Sequence, residues 1–125
     1  MLSNQVEIQG KFPRSVLSDR EAESAVLMKA AAMLKHVQTH WSAPNRERAL
    51  EQALQFNQRL WTFFQASVTE ESNPLPGYLK ENIVRLSAFV DRKTFEIMAY
   101  PSSDKLEILI GLNVNIAAGL KSPGS

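Results

Sequence analysis

NRERALEQALQFNQRLWTFFQASV, residues 45–68, separates into an apolar and a polar face at helical spacing. Leu50, Ala53, Leu54, Asn57, Leu60, Trp61, Phe64 and Val68 recur at intervals of three and four residues. Glu51, Gln55, Gln58, Arg59 and Thr62 fall on the other side. A stripe of that width is what a helix presents to the core of a helical domain, with Asn45 placed to act as its N-cap.

The same period continues in both directions. Upstream, Ser18 followed by Glu21 forms a capping-box pattern that opens a helix with Ala22, Val26, Ala30, Met33, Leu34, Val37 and Trp41 on one face. Pro44 ends that run. Downstream, TEESNPLPGY is a loop, and Pro76 suits the first turn of a third helix, where a missing N–H costs nothing. This helix is expected from Pro76 to Ala99, with Leu79, Ile83, Leu86, Val90 and Ile97 inward. After Tyr100 and Pro101, Ser102 or Ser103 caps a fourth helix with Leu106, Leu109, Ile110, Asn113, Ile116, Ala117 and Leu120 inward. Short links between long helices favour antiparallel neighbours. The expected fold is therefore all-α, a small antiparallel bundle of about four helices. It occupies residues 18–120, with a flexible N-terminal arm at 1–17 and a flexible C-terminal end at 121–125.

Composition limits the chemistry. The 125 residues are 44% hydrophobic and 22% charged, ordinary values for one folded domain. Fourteen Lys and Arg against 13 Asp and Glu leave a net charge of +1, which gives little general attraction to nucleic acid or anionic membrane. The absence of cysteine excludes disulfides, thiolate nucleophiles and Cys-based zinc sites. No apolar run approaches the roughly 20 residues of a membrane span, and the opening MLSNQVEIQGKF is not a secretory signal pattern. These features predict a soluble, cytoplasmic protein.

No residue set reads as catalytic. There is no GxSxG, P-loop or glycine-rich phosphate cradle, and Glu70 and Glu71 lie in a polar loop with nothing apolar to raise a pKa. His36 and His40 have the i, i+4 spacing of paired metal ligands, but no third ligand joins them, so they read as surface histidines. Arg46, Arg48 and Arg59 with Trp61, Phe63 and Phe64 suggest a stacking surface for nucleic acid. On the helical wheel, however, Trp61 and Phe64 face the core and Arg59 points away. The expectation is no enzymatic activity, no cofactor, no metal and no direct nucleic-acid contact.

Two features remain unexplained by a plain bundle. Asn57 and Asn113 each sit at the centre of an apolar face. A buried amide without partners costs about 1–3 kcal/mol, so each must bond to the other, to loop backbone or to a partner protein, the first two fixing helix register. The third helix also carries a second apolar ridge of Val84, Ala88, Phe95 and Ala99, at spacings of four, seven and four. Phe56 and Phe63 similarly flank the second helix. Val84, Ala88, Phe95, Phe56 and Phe63 are accordingly candidates for partner binding, unless the N-terminal arm folds over them.

The combination of FNQRLWTFF, NPLPGYLKENIVRLSAFVDRKT and LEILIGLNVNIAAGL, together with SDREAESAVLMKAAAMLK in the first helix, resembles the FlaF family of flagellar proteins over about residues 18–120. The resemblance implies a cytoplasmic protein needed for flagellin production or export. On that basis the chain would bind flagellin, through its terminal helices, as an export chaperone or regulator of flagellin synthesis, with a functional link to FlbT. It equally admits a regulator of flagellin mRNA, acting directly or through FlbT, or a structural adaptor.

Overall fold

The computed structural model describes residues 19–121. Within them the chain forms α1 (Asp19–Thr39), α2 (Arg46–Val68), α3 (Gly77–Ala99) and α4 (Leu106–Lys121), with a 3₁₀ turn at Ser103–Lys105 leading into α4. The fold is all-α, as the periodicity predicts. The expected capping residue Ser18 and the arm at 1–17 lie outside the described residues, as do residues 122–125; Lys121, placed in the C-terminal end by sequence, is the last residue of α4.

Cross-helix hydrogen bonds give the helix directions. Ser24 near the start of α1 donates to the Ala117 carbonyl near the end of α4, while Gln38 near the end of α1 donates to Ser103 and Glu107 near the start of α4. Gln58 of α2 donates to Asp91 of α3, and Ser87 of α3 donates to Gln65 of α2. Both pairs are antiparallel. The Lys29 ammonium of α1 lies over the Phe56 ring of α2, and His36 shares a groove with Ala49, so α1 and α2 are antiparallel too. The most extensive packing is α1 on α4, followed by α2 on α3 and α1 on α2; α3 and α4 touch only sparsely.

The turns show how the sequence stops each helix. α1 ends at Thr39, and Trp41, expected on its last turn, instead packs half-buried from the turn beneath the Arg46 guanidinium, 4.2 Å away. Asn45 occupies the N-cap position of α2 but makes no side-chain cap bond. Between α2 and α3, Asn73 organises the loop: its Oδ1 accepts from the Leu75 backbone N–H, and its Nδ2 donates to the Ser67 carbonyl. That turn drives Leu75 into the core, which helical spacing alone does not foresee. Pro76 is the N-cap of α3 rather than part of its first turn, and its carbonyl accepts from Leu79 and Lys80. Ser102 caps the 3₁₀ turn by position, its hydroxyl bonded to the Asp104 carboxylate.

One core runs through the bundle, with Leu27, Leu34, Leu54, Trp61, Phe64, Val90, Ile97, Leu106, Leu109 and Leu120 fully buried. All eight inward positions expected on α2 are buried. Three positions need correction. Leu86 and Ile110 are only half-buried, and so is Met33. On α3 the buried arc passes through Ser87 and Thr94 instead of Leu86. α1 also buries Leu27, Ala31 and Ser24, because it packs against two helices and needs a wider inward arc than a single stripe.

A Cβ added at Gly111, in the interior of α4, would meet nothing within 4 Å. Gly111→Ala therefore removes unfolded-state entropy without a steric cost. It should raise stability by about 0.5–1 kcal/mol in urea unfolding. An unchanged or lower midpoint would show that the open space is needed.

Candidate functional site

The buried polar centre is a short relay between α2 and α4. The Trp61 indole N–H donates to Asn113 Oδ1 at 2.9 Å, and Asn113 Nδ2 donates to Asn57 Oδ1 at 2.6 Å. All three side chains are fully buried. Trp61 follows Asn57 by four residues, so both project from one face of α2 and meet a single amide from α4. Asn57 Nδ2 keeps no hydrogen-bond partner among the described residues. These amides bond to one another rather than reaching outward, and the relay is completely enclosed.

The outward residues are different in kind. Val84, Ala88 and Phe95 are exposed along one side of α3, Phe95 at 76%. Met98, at 51%, adds to the C-terminal end of the same helix, where sequence spacing alone did not single it out. Phe56 and Phe63 are half-buried and pack against the core; Phe56 lies beneath the Lys29 ammonium at 5.3 Å, and Phe63 sits 6.1 Å from the Phe64 ring. The structure therefore groups Val84, Ala88 and Phe95 on one helix and leaves Phe56 and Phe63 as the edge of another. Lys80, Glu81 and Arg85 surround Val84 in a shallow depression.

Other candidate residues do not converge. His36 and His40 stack with ring centroids 4.2 Å apart, and the His40 Nδ1–H donates to the His36 carbonyl. No group of three or more His, Asp or Glu side chains is placed to hold a metal among the described residues. Trp61 and Phe64 are buried, so they offer no stacking surface. The Asp104 carboxyl is held below its usual value by the Ser102 hydroxyl hydrogen bond and then by its own backbone. Its side chain is exposed in the 3₁₀ turn that leads into α4. No helix among the described residues is long and apolar enough to cross a membrane.

The bundle thus encloses its polar centre and leaves an apolar ridge exposed on α3. The model of the flagellar protein FlaF family matches residues 10–120, and the chain belongs to that family. The match begins upstream of the resemblance read at residues 18–120, so part of the arm falls within the family domain. No curated protein and no solved structure gives a significant match.

The core and the ridge should separate cleanly by mutation. Trp61→Ala should cost on the order of 3–5 kcal/mol, because it leaves a cavity and an unpaired Asn113 oxygen. Phe95→Ala should stay within about 0.5 kcal/mol of the native protein. Chemical denaturation of the two variants checks both; similar losses would show that Phe95 is structural.

Proposed function

We propose that this member of a flagellar family is a flagellin-binding protein that acts before assembly, as an export chaperone or a regulator of flagellin synthesis in the cytoplasm. In this reading the α3 ridge receives an amphipathic terminal helix of unassembled flagellin and keeps its apolar stripe from polymerising early. The observation that carries the reading is Phe95, exposed on the same side of α3 as Val84 and Ala88 rather than packed in the core. An exposed aromatic among small apolar residues is a typical anchor for a partner helix. The role is binding rather than catalysis, and a functional link to FlbT belongs to the same proposal.

The near-neutral charge and the burial of Trp61 and Phe64 favour a protein partner over RNA. An apolar contact also resists salt, unlike a phosphate contact.

A charge on the ridge should separate binding from folding. Ala88→Glu or Phe95→Glu should keep the circular dichroism and melting temperature near native while weakening flagellin binding at least tenfold, about 1.4 kcal/mol. Calorimetric titration with flagellin measures it. Unchanged affinity in both variants would move the site off α3.

A further inference from the structure

A second surface feature lies on the other side of α2. Between α1 and α2 the structure opens into a groove of about 330 Å³, floored by Ala32, Met33, Ala49 and Ala53 and bordered by Lys29 and His36. The groove follows from the sequence. Alanines stand at 32, 49 and 53, and their short side chains leave the space between the two helices open. Lys29 and His36, seven residues apart, lie two turns apart on one edge, about 10 Å along α1.

Its charge has one sign. No carboxylate lines the groove among the described residues. The Lys29 ammonium sits over the Phe56 ring at 5.3 Å instead of against an acidic side chain, so its charge remains available at the edge. The length suits two turns of an incoming helix, whose apolar anchors at i, i+3 or i+4, and i+7 would lie over the alanines.

We propose that this groove is a second docking site, separate from the α3 ridge, and that it takes an amphipathic α-helical segment of a partner protein with acidic side chains flanking its apolar stripe. The alanine floor receives the stripe, and Lys29 and His36 receive the carboxylates, which set orientation and exclude basic helices. This site does not rest on the flagellin reading.

The test uses the full chain and two synthetic helical peptides with the same leucine stripe, one flanked by glutamates and the other by lysines. Amide shifts in ¹⁵N spectra locate binding, and fluorescence anisotropy gives affinity. The acidic peptide should shift Ala32, Ala49 and Ala53 and bind at least tenfold more tightly than the basic one. Lys29→Glu, and separately Ala32→Leu to fill the groove, should each weaken it at least tenfold, whereas Ile108→Glu, on the exposed face of α4, should leave it unchanged. Equal affinity for the two peptides, shifts confined to α3, no saturable binding of either peptide, or indifference to both groove variants would overturn the proposal. Loss of peptide binding in Ile108→Glu would do so as well.

Discussion

The hydrogen-bond relay from the Trp61 indole through the Asn113 amide to the Asn57 carbonyl oxygen ties α2 to α4 across the core. Apolar side chains can slide past one another at small cost, because burial has no direction. Amides buried in an apolar core cannot, since a shifted register leaves each unpaired at about 1–3 kcal/mol. On our reading, this is what makes one packing of the bundle preferable to its neighbours. α1 then closes against both tied helices, through Ser24 on the Ala117 carbonyl and through its apolar face on α2. α3 packs on α2 and meets α4 only sparsely.

That arrangement bears on where binding can occur. The polar tie joins α2 to α4 and the most extensive packing is α1 on α4, whereas α3 is held chiefly against α2, with Ser87 and Gln58 at that seam. Its other face is free to carry Val84, Ala88 and Phe95 without disturbing the core. The alanine-floored groove between α1 and α2 lies on a different side of the molecule. A bundle organised this way can offer two faces of different chemistry, one apolar with mixed charge around it and one apolar with a basic edge.

Much of this was readable from the chain itself. On α2 the contrast between faces is so sharp that every buried position follows from spacing. Asn57 and Asn113 stood out as polar residues amid apolar ones, but their pairing depends on how α2 and α4 lie together, which no local pattern encodes. Ser87 and Thr94 were missed because a search for apolar stripes passes over small hydroxyl residues, although Ser87 satisfies its hydroxyl on Gln65 and is buried. Leu75 was missed because its burial comes from the Asn73 turn rather than a helical period. The groove was invisible for a similar reason: alanines at 32, 49 and 53 read as ordinary helix formers until two helices bring them together.

The coupling between the two asparagines is the most direct measure of the central constraint. In urea unfolding of Asn57→Ala, Asn113→Ala and the double variant, each single change leaves the other asparagine's bonded group unsatisfied and the double change removes both of those groups, while the Trp61 N–H is unpaired in Asn113→Ala and the double variant alike. The relay predicts that the double variant loses less stability than the sum of the singles, by about 1 kcal/mol or more. Additivity within about 0.3–0.5 kcal/mol would contradict it.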